Sequence, residues 1–235
     1  MFDAVAPRYD LLNRVLSLGI DRRWRRDAVH ALGLKPGDLL VDICGGTGDL
    51  ALEAGRQVPG VRTVNLDLSP LMLRRYAART AGADGTGPMP AAALAARATP
   101  PAPAVVADAM RLPLRSGVAT AASIGFGIRN VPDRRLALTE MHRLLVPGGR
   151  LVVLEFALPA PAIRRPYLFY LRHVMPRVAA LISPAPAAYR YLGDSIAAFP
   201  APAVFAELIA GAGFTRVSRA PLTFGIAVRY LAIKP

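Results

Sequence analysis

The hydrophobic residues of this chain follow two patterns, short apolar runs and helical spacing, which alternate along its length. Apolar runs rich in β-branched residues, typical of buried strands, occur at 39–43, 62–67, 104–107, 120–126 and 150–156. Apolar residues at helical spacing lie between or after these runs, at 48–57, 70–80 and 133–145. Ser69 and Pro70 predict the N-cap and first residue of the second of these helices, and Pro-Gly-Gly at 147–149 predicts a turn after the third. Strands that alternate with helices in this way predict a doubly wound α/β sheet.

The last part of the chain follows a different order. A helix is predicted at about 202–212, ending at Gly213, and two strands follow it at about 214–221 and 225–233. Because no helix separates these two strands, we expect an antiparallel hairpin that closes the sheet.

We expect one domain, because a chain of 235 residues can be built around a single core. Residues 1–33 predict two short amphipathic helices that cap the site, and residues 160–200 predict a segment that covers its substrate side. Residues 81–103 are rich in Ala, Pro and Gly, offer little to bury, and predict a mobile loop.

A glycine turn follows the first strand, and an acidic residue ends the second. Residues 44–49 read Cys-Gly-Gly-Thr-Gly-Asp, and Asp67 ends the next apolar run. Gly46 and Gly48 let the backbone approach a ligand at a helix N-terminus, and Asp67 can accept hydrogen bonds from ribose hydroxyls. The pattern predicts a site for an adenosine-containing cofactor.

Two classes of cofactor fit this turn. The spacing of Gly46, Gly48 and Ala51 also satisfies a relaxed dinucleotide fingerprint, which would suit an NAD dehydrogenase. Asp42 favours the other class, because a carboxylate before the turn suits the cationic end of S-adenosylmethionine and fits badly beside a pyrophosphate. The predicted hairpin also favours the methyltransferase version of the fold, since dehydrogenases more often continue with parallel units.

The formal charge of +13 comes almost entirely from arginine, since Lys35 and Lys234 are the only lysines. A polyanionic partner, an anionic membrane surface and an arginine-rich genome all fit such a charge. The single cysteine, Cys44, allows no internal disulfide and suits a reducing compartment. With neither a signal peptide nor a long uncharged apolar run, we expect a cytoplasmic protein whose contact with the inner face of the membrane is peripheral. Three scattered histidines predict no metal site.

Motifs along the whole chain resemble those of the quinol C-methyltransferases. They lie at residues 1–10 (MFDAVAPRYD), 45–50 (GGTGDL), 126–131 (FGIRNV), 147–156 (PGGRLVVLEF) and 189–200 (YRYLGDSIAAFP). That family uses S-adenosylmethionine to methylate demethylmenaquinol, or 2-polyprenyl-6-methoxy-benzoquinol in ubiquinone synthesis. The resemblance implies a Rossmann-like class I methyltransferase fold, with a mostly parallel seven-stranded sheet, an antiparallel C-terminal hairpin and a helical N-terminal cap.

Position by position, the resemblance also implies a cofactor site. Thr47, with the backbone of Gly46 and Gly48, would contact the methionine part of S-adenosylmethionine. Asp67 would hold the ribose, and Asp108 with Ala109 would meet the adenine.

Two cofactor-site positions depart from the family pattern. Gly125 stands where many relatives have a serine, so backbone must replace any side-chain contact there. Cys44 stands at the first glycine of the common turn, and we expect a small buried residue there rather than a nucleophile. The cofactor pocket should tolerate both.

The implied chemistry is an in-line attack by an aromatic carbon on a sulfonium methyl group. An oxidised quinone is electron-poor, so we expect activity only on the reduced acceptor, with a base near its ring. Arg129 and Asn130 follow the fourth strand, where they could orient a hydroquinone oxygen or stabilise its anion. Alternatively, Arg129 pairs with a carboxylate such as Asp133, and Asn130 caps the next helix. His173 is the candidate base, with a structural histidine as the alternative.

The segment after the fifth strand carries the remaining candidates. Tyr189, Arg190 and Tyr191 would line the acceptor channel or pack on one another. Two groups of arginines could bind anionic lipid headgroups while apolar neighbours guide a polyprenyl tail. These are the cluster at residues 22–26 and Arg164, Arg165, Arg172 and Arg177.

Other functions stay open on the sequence alone. An RNA methyltransferase would share the fold and the charge, but with 7% aromatic residues the chain lacks the stacking surface of such proteins, so we expect no nucleic acid partner. A non-catalytic cofactor-binding assembly protein and an NAD dehydrogenase are further alternatives. The motifs do not separate naphthoquinol from benzoquinol, and the overall resemblance favours demethylmenaquinol, the last intermediate before menaquinol. A homodimer is also open.

Overall fold

The computed structural model describes residues 17, 19–81, 103–174, 177 and 187–235, with the backbone alone at 172 and 187–190. Seven strands form one sheet: β1 (Leu39–Ile43), β2 (Arg62–Asp67), β3 (Ala104–Val106), β4 (Ala119–Gly125), β5 (Leu145–Phe156), β6 (Thr215–Leu222) and β7 (Ala227–Ile233). The α-helices in these ranges are α1 (Asp21–Leu32), α2 (Asp49–Gln57), α3 (Pro70–Ala81), α4 (Arg134–Leu144), α5 (Pro161–Phe169), α6 (Ala187–Ala197) and α7 (Pro202–Gly211). Short 3₁₀ turns lie at Ile128–Asn130 and Thr223–Gly225, and a π-helical turn lies at Tyr170–Val174.

The strands lie in the order β3-β2-β1-β4-β5-β7-β6. Strands β1 to β5 are parallel, and β7 pairs antiparallel with both β5 and β6. The predicted α/β sheet with an antiparallel C-terminal hairpin is therefore confirmed. Because the strand order reverses between β1 and β4, a crevice opens at the carboxyl ends of these two strands, where open sheets bind ligands.

Both faces of the sheet are covered by helices, which explains why its central strands are mostly apolar. Leu40 of β1 packs in a core with α1 and α2, whereas Val41 and Ile43 pack in a second core with α4 and α7. A strand buried on both faces needs apolar side chains at successive positions. Asp42 is the charged exception in β1, and it lies at the crevice.

The start of β5 differs from the predicted boundary. The strand begins at Leu145 rather than at residue 150, and it includes the residues 147–149 that were predicted to form a turn. Gly148 has φ +76°, and its N–H donates to the carbonyl of Lys234 at 2.9 Å. These residues therefore form a bulged extension paired beside the end of β7, and not a break before the strand.

Three predicted segments lie partly or wholly outside the described residues. Of the N-terminal cap, α1 is described, whereas the motif at residues 1–10 and the first predicted helix are not. The mobile loop predicted at 81–103 also lies almost entirely outside, between α3 and β3. The segment at 160–200 contains α5, the π-helical turn and α6.

Within the described ranges, no single helix has both the length and the apolar character needed to cross a membrane. One pair of helices, Tyr191–Ala197 and Pro202–Gly211, reaches that length only together, and the two are bent by 76°.

Trp24 fixes α1 against the carboxyl ends of the central strands. Its indole is 6% exposed, and its ring centroid lies 6.2 Å from those of both Phe126 and Phe156. Its Nε1–H donates to Oγ1 of Thr223 at 2.8 Å, which also ties α1 to the loop before β7. The helix is thereby placed beside the crevice.

We predict that Trp24→Ala lowers the free energy of unfolding by about 3–5 kcal/mol, because it leaves a void beside two aromatic rings. Urea denaturation followed by circular dichroism measures this change. Leu136→Ala on α4 is the control, since Leu136 is 45% exposed and should change stability by less than about 0.5 kcal/mol. Equal losses in the two variants would contradict the packing role of Trp24.

Candidate active site

A cavity occupies the crevice at the carboxyl ends of β1, β2 and β4. It is lined by Arg25, Asp42, Cys44, Gly45, Gly46, Thr47, Asp49, Leu50, Asp67, Leu68, Met72, Ala109, Gly125, Phe126, Gly127, Asn130, Val131 and Pro132. Most residues predicted for the cofactor are brought together there, namely Asp42, Gly46, Thr47, Asp67, Ala109 and Gly125. Gly48 and Asp108 are the chain neighbours of lining residues.

Two side chains of β2 form hydrogen bonds with the backbone of Gly46, one with its N–H and the other with its carbonyl. Its N–H donates to Oδ2 of Asp67 at 2.9 Å, and its carbonyl accepts from Nδ2 of Asn65 at 3.1 Å. Gly45 sits so close to β2 that a Cβ there would lie 2.0 Å from Oδ1 of Asn65. Asn65 was missed from the sequence, although a polar residue two positions before Asp67 lies on the same face of the strand.

Gly48 joins the turn to α2. It has φ +81°, and a Cβ there would lie 2.0 Å from Cδ2 of Tyr76, so only glycine fits without a shift of that ring. Because α2 begins at Asp49, the positive end of the helix dipole lies at the cavity. Arg79 braces the same turn by donating to the carbonyl of Thr47 and to Oδ1 of Asp49, both at 2.8 Å.

Asp42 is buried beneath the turn, with 1% of its surface exposed. Its Oδ1 accepts from Oγ of Ser123 at 2.7 Å, and its Oδ2 accepts from the N–H of Ala51 at 3.3 Å. Burial raises the pKa of Asp42 to about 7, although both hydrogen bonds lower it. The carboxylate therefore stands where a cation would stabilise its charged form.

Asp67 can serve both the turn and a ligand. Besides Gly46, it accepts from the N–H of Ser69 through Oδ1 at 2.8 Å, so its orientation is held from two sides. Because Asp67 also lines the cavity, its position suits the predicted ribose contact. Ser69 in turn caps α3, as predicted, by accepting from the N–H of Met72 at 3.2 Å.

Arg25 lies in the cavity wall and not on an exposed basic face. Its side chain is 11% exposed, pairs with Asp21, and approaches Oδ2 of Asp49 at 3.2 Å. Its guanidinium also lies 5.5 Å from the ring centroid of Phe126. The prediction that the whole cluster at 22–26 faces a membrane is therefore wrong for Arg25, because tertiary contacts turn it inwards.

Arg129 and Asn130 lie in the 3₁₀ turn after β4, but they face different surroundings. Arg129 is 7% exposed in its side chain and pairs with Glu155, its Nη1 lying 2.7 Å from Oε1. Asn130 lines the cavity, and its Oδ1 is buried with no partner among the described residues. The structure thus places Asn130, and not the Arg129 guanidinium, against the cavity.

Of the alternative roles given for these two residues, the pairing of Arg129 with a carboxylate is confirmed, although its partner is Glu155, and the capping role of Asn130 is wrong. Asp133 does not pair with Arg129. It caps α4 by accepting from the N–H of Leu136 at 2.9 Å, which leaves no cap for Asn130 to supply. The true partner, Glu155, was missed, although a carboxylate inside an apolar strand indicates that a buried cation is close by.

Of the other substrate-side candidates, His173 and Tyr191 are not brought to the cavity. His173 is exposed and stacks on Phe169, with ring centroids 4.9 Å apart, so its position does not support a role as the base. Tyr191 is 40% exposed and is not part of the cavity lining. Tyr189 and Arg190 belong to α6, and their side chains lie outside the described part of the structure.

The adenine side of the predicted site is formed by a tight turn. Asp108 accepts from the N–H of Met110 through Oδ1 at 2.9 Å, and this turn places Ala109 in the cavity wall. Across from it, a Cβ at Gly125 would lie 2.9 Å from Cδ1 of Leu50. Because Gly125, which departs from the family pattern, has no Cβ, it leaves room for the side chain of Leu50.

Neither a metal nor a thiolate is suggested by the described residues. Within the described ranges, no three His, Cys, Asp or Glu side chains group as metal ligands. Burial raises the pKa of the Cys44 thiol far above its usual range, which keeps it neutral.

Comparison with known proteins finds a family model described as the ubiE/COQ5 methyltransferase family, which matches residues 1–234. A "Ubiquinone/menaquinone biosynthesis C-methyltransferase UbiE" of Syntrophotalea carbinolica is 45% identical over 231 residues, covering 98% of this chain and 91% of that protein. A "Demethylmenaquinone methyltransferase" of Thermus thermophilus is 44% identical over 236 residues and 100% of both chains. Another of that name, from Mycolicibacterium paratuberculosis, is 44% identical over 100% of this chain and 93% of its own length.

Solved structures share the fold at lower identity. A methyltransferase of Thermotoga maritima, described as S-adenosylmethionine-dependent and a possible histamine N-methyltransferase, has a TM-score of 0.65 at 19% identity, covering 100% of this chain and 98% of its own. A Haemonchus contortus phosphoethanolamine N-methyltransferase solved with S-adenosyl-L-methionine has a TM-score of 0.63 at 14% identity, covering 91% of this chain and 52% of its own. At these identities the likeness shows the fold alone, and it confirms the predicted class I methyltransferase fold.

The raised pKa of Asp42 predicts a stability that falls with increasing pH. Between about pH 4 and 7 the folded protein keeps a proton that the unfolded chain has lost, so protonation stabilises the native state in that window. From pH 5 to pH 8 this group should remove about 2–3 kcal/mol of stability. Urea denaturation at both pH values measures this loss.

Asp42→Asn should abolish that pH dependence, because the asparagine can accept from Ala51 and donate to Ser123 without titrating. Glu207→Gln on α7, an exposed carboxylate, is the control and should leave the wild-type pH dependence in place. An Asp42→Asn protein that loses as much stability as the wild type between the two pH values would contradict the assignment.

Proposed function

The chain belongs to the ubiE/COQ5 methyltransferase family, and we propose that it transfers a methyl group from S-adenosylmethionine to demethylmenaquinol, giving menaquinol. The family and the methyltransferase activity predicted from the sequence are confirmed by the match over residues 1–234. The choice of acceptor is supported by the demethylmenaquinone methyltransferases of Thermus thermophilus and Mycolicibacterium paratuberculosis, which this chain matches over its full length.

The cavity residues fit the proposed cofactor. The backbone of Gly46 and Thr47 lies at the N-terminus of α2, where it can bind the methionine end, and Asp67 can hold the ribose. Asp42 supplies a buried negative charge, which favours a cationic ligand. When bound, S-adenosylmethionine supplies an electrophilic methyl group on a positively charged sulfur.

The observation that carries the acceptor side of the proposal is Asn130, which lines the cavity and has a buried Oδ1 without a partner among the described residues. A buried acceptor atom without a hydrogen bond is costly, so a ligand hydroxyl that donates to it would remove that cost. A quinol has such a hydroxyl on its ring, whereas the oxidised quinone has none. Asn130 would therefore orient the reduced ring, so that its attacking carbon is held in line with the methyl group.

We predict that methyl-labelled S-adenosylmethionine transfers its label to demethylmenaquinol kept reduced in detergent, and not to the oxidised quinone. Mass spectrometry of the extracted product measures the transfer, with 2-polyprenyl-6-methoxy-benzoquinol as the parallel acceptor. Label in neither quinol would refute the proposed function. Label only in the benzoquinol would reverse the choice of acceptor in favour of ubiquinone synthesis.

The same assay tests Asn130. Asn130→Ala should lower kcat by about tenfold or more while the Kd for S-adenosylhomocysteine changes less than about twofold, because the lost contact is with the acceptor. Leu136→Ala is the control and should match the wild type in both measurements. Unchanged turnover in Asn130→Ala would exclude this residue from the acceptor site.

We also propose that α5 and the π-helical turn dock on an anionic membrane surface at the cytoplasmic face, from which the polyprenyl acceptor enters. None of the α5 side chains is fully buried, and Phe169 is 61% exposed. Arg164 and Arg165 are also exposed, and residues 161–177 contain no acidic residue. Exposed apolar and cationic side chains on one amphipathic segment suit anionic headgroups above an acyl layer.

The docking segment lies close to the proposed acceptor site. Leu171 of the π-helical turn packs with Ile196 of α6, and α6 contacts the 3₁₀ turn that carries Asn130. An acceptor headgroup that leaves the membrane at α5 therefore has a short route to the cavity.

We predict that the double variant Arg164→Glu and Arg165→Glu loses at least about tenfold in binding to vesicles containing anionic lipid at low salt, since each basic residue near such a surface contributes about 1 kcal/mol. Vesicle sedimentation measures the bound fraction. The control is Arg111→Glu with Arg135→Glu, which makes the same charge change at exposed positions outside this segment. Equal binding to neutral and anionic vesicles by the wild type would contradict the docking proposal.

A further inference from the structure

Glu155 is a fully buried carboxylate near the carboxyl end of β5, outside the cavity lining. It follows the apolar run at 151–154 and is 0% exposed. A buried charge is destabilising by several kcal/mol unless it is paired and fully hydrogen-bonded. The hydrogen-bond partners of Glu155 therefore indicate which part of the structure its charge stabilises.

Those partners come chiefly from one residue of the 3₁₀ turn after β4. Nη1 of Arg129 donates to Oε1 at 2.7 Å, and the backbone N–H of Arg129 donates to Oε2 at 3.2 Å. The N–H of Phe156 adds a third donor, to Oε1 at 2.9 Å. Glu155 thus joins the end of β5 to both the backbone and the side chain of the turn.

Arg129 has little freedom beyond this pair. Its guanidinium also donates to the carbonyl of Phe126 and lies 5.4 Å from the ring centroid of Phe156. Its own carbonyl accepts from Nη2 of Arg134 at 3.2 Å. With its N–H, carbonyl and guanidinium all held, Arg129 fixes the conformation of the residue that follows it.

That following residue is Asn130, which lines the cavity and whose buried Oδ1 has no hydrogen-bond partner among the described residues. We propose that Glu155 is a positioning residue, which acts through Arg129 to hold the 3₁₀ turn so that the amide of Asn130 faces the acceptor. The inference rests on the proposed function for the identity of that acceptor. It does not involve the cofactor side of the cavity, since Gly46, Asp67 and α2 are held by other contacts.

Glu155→Gln tests the inference, because the glutamine keeps the size of the side chain but loses its charge and presents an N–H₂ group to Arg129 donors. We expect kcat to fall by about tenfold or more, as for a displaced reacting group, with a change of less than about twofold in the Kd for S-adenosylhomocysteine. Glu155→Asp restores the charge and should recover part of the lost turnover.

Glu140→Gln is the matched control. Glu140 also accepts two guanidinium N–H bonds, from Arg143 at 2.7 and 2.8 Å, and one backbone N–H bond, from Leu112 at 2.9 Å. It lies on α4, outside the cavity lining. Its variant should keep the wild-type kcat even if its melting temperature falls. Wild-type turnover in Glu155→Gln, with a lowered melting temperature alone, would overturn the positioning role.

A second measurement needs no acceptor. In ¹H–¹⁵N spectra, the side-chain amide signals of Asn130 should shift in Glu155→Gln and stay in place in Glu140→Gln. If Asn130 shifts no more in the first variant than in the second, the inference is wrong. Failure of the wild type to methylate any quinol would refute the proposed function, and this spectrum would still decide the role of Glu155.

Discussion

Two side chains of β2 form hydrogen bonds with the backbone N–H and the backbone carbonyl of Gly46, and the geometry of the cavity depends on these two bonds. The N–H donates to Asp67, the carbonyl accepts from Asn65, and Asn65 is completely buried. Releasing the turn would leave a buried amide without its partner, which is more costly than the hydrogen bond is stabilising. Because Gly45 approaches Asn65 more closely than any Cβ would allow, the turn lies directly on the strand. The N-terminus of α2 and the carboxylate of Asp67 are therefore brought to the same cavity.

Two buried carboxylates near the cavity have opposite electrostatic surroundings. Glu155 faces the guanidinium of Arg129, so the pair carries no net charge. Among the described residues, Asp42 has only the hydroxyl of Ser123 and one backbone N–H as close donors, and burial raises its pKa to about 7. The first arrangement stabilises a fixed turn. The second leaves a site that a cation would stabilise, which is the usual physical reason for a perturbed pKa in a binding cleft.

The arginine content of the chain overstates the charge that its surface offers to a partner. Arg25 and Arg79 pair with acids around the glycine turn, Arg129 is buried with Glu155, and Arg143 pairs with Glu140. Such arginines stabilise the interior or bind backbone carbonyls, and they contribute little to long-range attraction. The exposed arginines of α5 differ because no acidic residue lies in the same segment, so their charge adds up. Location within the fold, and not total charge, distinguishes the two groups.

The order of strands and helices along the chain, the C-terminal hairpin, the glycine turn and the family could all be predicted from the sequence. These features depend on local periodicity and on short motifs, in which the residues that matter are close along the chain. Ser69 as the cap of α3 is of this kind, since it bonds a residue three positions away.

The pairing of buried charges, in contrast, follows from the packing of elements that are far apart along the chain. Arg129, in the 3₁₀ turn, pairs with Glu155, 26 positions away on β5, and not with the nearby Asp133. Arg25 of the basic cluster lines the cavity, whereas His173 lies outside it. Local patterns indicate which face of an element is buried, but the partner of a buried polar group is set by how the strands and helices pack in space.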